Sequence, residues 1–289
     1  MSHPVRPRRS ALYMPASNPR AVEKSRGLAC DVVILDLEDA VLPDAKDGAR
    51  ADAVAAVKAG GFGRREVVIR VNDLSTPWGA ADLVAAAAAG PDAVLAPKIR
   101  GPEDIAAYDR ALTQAPAHTR LWAMIETPQA ILAINAIAGA PSRLSALCMG
   151  TNDLAKEMRA RQTPTREPFH AAMALTVMAA RAHGLAVLDG VHNEIDDLAA
   201  LDAVCRQGVD FGFDGKTLIH PSHLAIANDV FTPAATEVAW SRAVIAAFAA
   251  PENAGKGALR VDGRLAELLH RDQALGLVAI ADAIAAADA

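Results

Sequence analysis

Two carboxylates, Glu126 and Asp153, are the residues of this chain whose type and spacing most plainly suit chemistry. Each lies just past a short apolar run, LWAMI before Glu126 and LSALCM shortly before Asp153, and the two are one strand–helix repeat apart. If those runs are neighbouring parallel strands, their C-terminal ends carry both carboxylates to one spot. With no Cys or His beside them they suit a hard divalent cation. Mg2+ is the natural choice, because it prefers oxygen ligands and keeps positions open for water and substrate. A 2-oxo acid could chelate such an ion through its carboxylate and keto oxygens, and the ion would act on the keto carbon as a Lewis acid.

Other charged residues follow the remaining apolar runs. Arg70 sits at the end of one, where a guanidinium wants a carboxylate or an oxyanion; a substrate could supply the oxyanion, which Arg70 would stabilise as it develops. Asp36, Glu38 and Asp39 follow the second run, as supporting groups of a site or simply as helix caps and partners for Arg70 and Lys98. Lys98 reads equally as a substrate-binding group or a rim salt bridge. Lys216, with His220, lies in a Gly-containing stretch whose donors could meet a phosphate or an acyl group. Asp189 could support the site or only orient its own loop, and Asp153 could be a helix N-cap. Burying so many unpaired charges would be costly in a barrel that did nothing. No HExxH pattern or Cys/His spacing suggests zinc, and no GxSxG elbow or strand-end Cys suggests a nucleophile.

The elements that must position these groups are eight apolar segments, expected as strands at 10–13, 32–35, 67–71, 93–96, 121–124, 144–149, 186–188 and 210–213. Several are continuous rather than alternating, as parallel strands covered on both faces should be. Helical patterns lie between them at 49–58, 80–89, 102–113, 129–138, 168–183 and 194–207, many followed by Gly as a C-terminal cap. The reading is an α/β fold, a (β/α)8 TIM barrel with a short C-terminal helical extension. An open doubly wound sheet is second, since no GxGxxG follows the first strand. The barrel is expected over 1–225. The extension is expected over 226–289, with helices at 237–250 and 265–287, docking on the barrel or reaching a neighbouring subunit.

Composition narrows the class. The 289 residues are 52% hydrophobic, enough for a large core, and the net charge of −5 argues against nucleic acid or an anionic membrane as partner. The Arg-rich stretch 6–9 is short enough to be a solvated arm. Three scattered cysteines fit a reducing, cytoplasmic setting, no secretory leader is evident, and no stretch reaches the length of a membrane span.

The motifs, in order, are RSALYMP (9–15), VVILDLEDAV (32–41), VIRVN (68–72), APK (96–98), MIET (124–127), MGTNDL (149–154), DGV (189–191) and GFDGKTLIHP (212–221). Together they resemble the HpcH/HpaI aldolase/citrate lyase family, in particular its citrate lyase β-subunit-like proteins, over almost the whole chain. The resemblance implies a (β/α)8 barrel assembled as a homotrimer or hexamer. It implies Mg2+ on Glu126 and Asp153, a substrate arginine at Arg70, and cleavage or formation of a 3-hydroxyacyl thioester of malyl-, citramalyl- or citryl-CoA type, giving an acyl-CoA and a 2-oxo acid. Acyl-CoA members carry a tail Asp in a pattern like DGxMIDxPH that serves a neighbouring subunit's site as acid/base. Here 262–270 reads DGRLAELLH, so Glu267 takes that place with an extra methylene, and Leu269 replaces the Pro. Two alternatives stand beside the lyase: an aldolase for free 4-hydroxy-2-oxo acids, and a thioester-binding or regulatory protein that has lost catalysis.

Overall fold

The computed structural model describes residues 6–288; residues 1–5 and 289, the outer ends of the two expected segments, lie outside them. Two compact units are formed, one by Arg8–Asp229 and the other by 230–288 with 6–7.

The larger unit is a closed barrel of eight parallel strands in sequence order. They are β1 (Ser10–Pro15), β2 (Val32–Asp36), β3 (Glu66–Arg70), β4 (Ala93–Ala96), β5 (Arg120–Ile125), β6 (Leu144–Met149), β7 (Ala186–Asp189) and β8 (Gly215–Leu218). Helices join most consecutive strands, so the barrel is covered outside as well as filled inside, and the strands read as unbroken apolar runs for that reason. The interior is packed by Ala11, Tyr13, Ile34, Val68, Leu95, Trp122, Met124, Cys148 and Leu188, among others. Paired residues in a parallel sheet share a face, so the register sorts the polar residues too. Leu188 pairs with Gly215 and Ala11 with Thr217, which puts Thr217 on the interior side. Lys216 pairs with Asp189 on one side and Ser10 on the other, and these three face the opposite way, towards the helices.

Seven strands lie where the apolar runs place them, and the eighth does not. Residues 210–213 were expected as a strand, yet the helix Leu198–Phe211 runs on through Asp210 and Phe211 and ends on Gly212 at φ 94°. The strand begins at Gly215, where a Cβ would sit 1.8 Å from the carbonyl oxygen of Arg8; only glycine admits that close approach of β8 to the chain entering β1. A strand reading GKTL has a Lys and a Thr among its four residues, which hides it from a search for apolar runs.

The smaller unit has its own core of Val244, Val261, Ala266 and Ala274, with Trp240, Phe248 and Leu259 against it. Its helix Ala235–Ala249 lies within two residues of expectation. The next stretch differs: 265–267 were expected as helix but belong to a hairpin of β9 (Ala258–Val261) and β10 (Arg264–Glu267), followed by the helix Leu268–Asp288. Asp262 (φ 48°) and Gly263 (φ 80°) make its two-residue turn, whose paired positive φ values match the twist of the strands it joins.

Candidate active site

At the C-terminal ends of the strands a cavity of about 260 Å³ opens, and its lining divides by chemistry. Tyr13, Met124, Met149, Val191 and Ile219 give an apolar wall, while Asp36, Asp39, Arg70, Glu126 and Asp153 give a charged one.

Glu126 follows β5 directly and is almost wholly buried. Burial raises its carboxyl above the usual range, with Lys98 and Arg70 pulling the other way. Asp153 lies in the first turn of the helix Thr151–Met158, whose N-cap is Gly150, so Asp153 itself is not the cap. Gly150 is also what makes room for Glu126: a Cβ there would lie 2.4 Å from Glu126 Oε2 and 2.5 Å from its Cβ. Lys98 joins the two carboxylates. Its Nζ is hydrogen-bonded to Asp153 and lies 3.4 Å from Glu126 Oε1 and 3.6 Å from Glu38 Oε1. Its backbone N–H donates to Glu126 Oε1 at 2.8 Å, an orientation reached because Lys98 adopts φ 51°. Partial burial opposes the charge on Lys98, but Glu126 and Glu38 outweigh it and raise its pKa.

Arg70 ends β3 and is the centre of a second cluster. Its Nε and Nη2 donate to the two oxygens of Asp36, each at 2.7 Å, a bidentate pair. Its Nη1 lies 2.7 Å from Glu38 Oε2 and 3.3 Å from Asp39 Oδ2, and its guanidinium stacks 4.7 Å above the ring of Tyr13. Burial alone would raise the Asp36 carboxyl, yet Arg70 and the N–H groups of Glu38 and Ala40 hold it below the usual carboxylate range. Glu38 goes the other way: burial pushes it up to about 8 despite Arg70. The pairing of Asp36, Glu38 and Asp39 with Arg70, and of Glu38 with Lys98, is thus the arrangement found.

The structure brings Glu126, Asp153, Lys98, Arg70, Asp36, Glu38 and Asp39 together, and it sets Lys216 and Asp189 apart. Lys216 is completely buried on the helix side of β8, where its Nζ donates to Asp189 Oδ2 at 2.7 Å. Arg166 Nη1 reaches both oxygens of the same carboxylate at 2.8 Å. Burial disfavours the charge on Asp189, but its two cations overcome that and lower its pKa. Lys216 does not line the cavity; its neighbour Thr217 does. Moving the strand start from 210 to 215 is what reassigns these faces. Glu267 ends β10 in the other unit, partly buried, with its backbone N–H donating to His270 Nδ1 at 3.0 Å. Sequence reasoning missed Tyr13 and Thr217 as cavity residues. Tyr13 could have been found as the penultimate inward position of β1; its hydroxyl donates only to the thioether of Met124, at 3.4 Å.

The donor set suits a hard cation. Glu126 and Asp153 already direct oxygen atoms at one positive centre, the Lys98 ammonium, and glycine at 150 keeps the carboxylate of Glu126 in place. Among the described residues no group of three or more His, Cys, Asp or Glu side chains could hold a metal. The protein would therefore provide two ligands and leave the rest to water and substrate, as Mg2+ sites commonly do.

This chain belongs to the HpcH/HpaI aldolase/citrate lyase family, whose pattern it matches over residues 9–221. It is 47% identical over 286 residues to a (3S)-malyl-CoA thioesterase of Cereibacter sphaeroides, an alignment covering 99% of each chain. It is 34% identical to an L-malyl-CoA/beta-methylmalyl-CoA lyase of the same organism, over 98% of this chain and 97% of that one. Among solved structures it resembles the protein CitE of Mycobacterium tuberculosis in complex with magnesium, acetoacetate and coenzyme A. There the TM-score is 0.76 at 26% identity, over 94% of this chain and 97% of that one. No helix among the described residues is long and apolar enough to cross a membrane.

Proposed function

We propose that this protein is a Mg2+-dependent enzyme of malyl-CoA-type thioesters, cleaving the C–C bond of a 3-hydroxyacyl-CoA to an acyl-CoA and a 2-oxo acid. The observation that carries the reading is the pair Glu126 and Asp153 converging on one cationic point beside Arg70, in a cavity with one apolar wall. Mg2+ bound there would supply Lewis-acid polarisation of the oxygen it meets. Arg70, held in register by Asp36, donates to the thioester oxygen as the enolate forms, and the excess of nearby carboxylate keeps the guanidinium charged. In the cleavage direction the 3-hydroxyl loses its proton, the C2–C3 bond breaks and its electron pair passes to the thioester enolate, which is then protonated. Glu267 of a neighbouring subunit takes that proton-transfer role on this reading, as its place in the tail motif implies, with a carboxyl able to act as either acid or base. Lys98 is the substrate-binding cation on this reading; Lys216 and Asp189 support the wall that carries Thr217.

A second reading, thioester hydrolysis, is favoured by the 47% likeness to a thioesterase. The same Arg70 would stabilise the tetrahedral oxyanion formed when water adds to the thioester carbonyl, before the C–S bond breaks. A homotrimer or hexamer is consistent with Leu265, Leu268, Leu269 and Leu275, left exposed in the smaller unit. Three buried, unpaired thiols fit a cytoplasmic setting.

The deciding experiment incubates the purified protein with (3S)-malyl-CoA, with and without Mg2+, and follows free thiol and free oxo acid separately. Oxo acid without free thiol is the result expected for the lyase. Thiol without oxo acid transfers the site to hydrolysis, and neither product with any 3-hydroxyacyl-CoA refutes both. Unchanged turnover in Glu267→Gln would remove the tail carboxyl from the reaction.

A further inference from the structure

Lys46 is a buried amine that the chemistry above does not use. It opens the helix Lys46–Ala59 and is only 6% exposed. Both of its hydrogen bonds end on backbone carbonyls, Leu37 O at 2.8 Å and Glu38 O at 2.7 Å, and the ring of Trp78 lies 5.4 Å from its Nζ. These carbonyls belong to the turn that leaves β2. Asn72 Nδ2 also donates to Leu37 O, at 2.9 Å, while Asn72 is held in turn by Asp82. On the amide side of the turn, the N–H groups of Glu38 and Ala40 donate to Asp36 Oδ1 and Oδ2 at 2.9 and 3.1 Å. Those two oxygens are the ones that grip Arg70.

One turn is therefore clamped from both sides, and the amide-side clamp is also the bidentate partner of the cavity's arginine. The ammonium of Lys46 is placed to fix the carbonyl side, because it has several donors on a flexible stem and reaches two consecutive carbonyls at once. Without it, Glu38 O keeps only the N–H of Val41, at 3.0 Å, and Leu37 O only the amide of Asn72, so both buried carbonyls lose their charged donor at once, a loss that loosens the turn. Any reorientation moves Asp36 and Glu38, and with them the guanidinium.

We propose that Lys46 is a positioning residue, acting through the Leu37–Glu38 turn to fix the edge of Arg70 that faces the cavity without itself touching a ligand. The consequence for turnover rests on the function proposed above; the consequence for the turn does not. Glu126 and Asp153 stand beyond β5 and β6 and meet the turn only through Lys98, whose Nζ lies 3.6 Å from Glu38 Oε1, so this lever acts on the guanidinium directly and on the metal half only at second hand.

The test compares wild type with Lys46→Met and Lys46→Arg, using three readouts. Calorimetric titration of Mg2+ alone is expected to give affinities within about twofold of one another, since both ligands are retained. Amide hydrogen exchange across residues 37–41 is expected to quicken by about tenfold or more in Lys46→Met, as the freed turn opens locally. The kcat for malyl-CoA is expected to fall by about tenfold or more, the cost of one misplaced oxyanion donor being large, and Lys46→Arg recovers most of it by restoring donors. If wild type turns over no thioester, the proposed function falls on that result alone, and exchange at 37–41 still decides the present proposal. Exchange that is unchanged in a folded Lys46→Met overturns it, as does a Mg2+ affinity that falls in step with kcat. If Lys46→Met does not fold, Lys46→Gln, which keeps a neutral donor but no charge, carries the test: faster exchange at 37–41 with unchanged Mg2+ affinity supports the role, and wild-type exchange there overturns it.

Discussion

Replacing Asp189 by Asn probes the buried ion cluster behind β7 and β8. Asp189 and Lys216 have no exposed side-chain surface, and Arg166 has 10%. One carboxylate thus compensates two cations, at 2.8 Å and 2.7 Å, and also accepts the N–H of Gly190 at 2.8 Å. An Asn of the same volume keeps the packing, removes the only negative charge of the trio, and can turn an NH2 donor towards groups that are themselves donors. Removing one partner from a buried pair costs about 3–5 kcal/mol, and here two charges lose it. Lys216 limits the damage by giving up its proton, to which it is already inclined, since burial and then the neighbouring Arg166 offset the pull of Asp189 and lower its pKa. The expectation is a loss of about 3–5 kcal/mol at pH 7, or roughly 6–20 °C in Tm for a chain of this size. Because deprotonation relieves the repulsion, the deficit of Asp189→Asn should shrink as pH rises towards the ordinary lysine value. Urea and thermal unfolding at pH 7 and pH 9 measure both quantities. Lys216→Met, which leaves a neutral Asp189–Arg166 pair, should cost clearly less. A loss in Asp189→Asn below about 1 kcal/mol, or one that grows with pH, refutes the reasoning.

Two further outcomes are expected. Gly150→Ala would drive a methyl group into Glu126, so Mg2+ affinity should fall by about tenfold to a hundredfold while the fold survives, as calorimetry with Mg2+ alone would show; unchanged affinity would mean Glu126 is free to move. Glu38, with its pKa raised from an ordinary 4.5 to about 8, is protonated in the fold and ionised in the unfolded chain between those values. Its contribution to stability is therefore fully present below pH 4.5 and is lost as pH rises through 8. Stability measured without divalent cations across that window should decline less steeply in Glu38→Gln than in wild type, and identical slopes would contradict the assignment.

Much of this was legible in the sequence for a physical reason. Strands buried on both faces carry unbroken apolar runs, VVIL in β2, VVI in β3 and ALCM in β6, which announce themselves, and the residues at and just past each strand's end are placed on the rim by topology alone. Glu126, Asp153, Arg70 and Lys98 come together on that logic. Lys216 does not, because β8 is a polar strand whose start is set by a contact between backbones, between Gly215 and Arg8, that no periodicity records. An error of a few residues there exchanges the inner and outer faces and moves Lys216 from the rim to the helix side. Arg166 was invisible for a related reason: it sits in a connection at φ 57°, and its tie to Asp189 spans 23 residues. The hairpin that ends on Glu267 carried a signal, Asp262-Gly263, that the helix-compatible residues around it masked.

Lys98 performs two tasks through chemically separate parts. Its peptide nitrogen orients Glu126, and its side chain contributes the ammonium between Glu126 and Asp153. Only the second depends on which amino acid stands there. The first depends on a left-handed backbone that glycine or asparagine adopts more readily than lysine. Natural variation at this position can therefore retune the charge of the pocket while the anchor of the carboxylate is inherited unchanged. A lineage drifting between related reactions has here one codon at which polarity can change without dismantling the site.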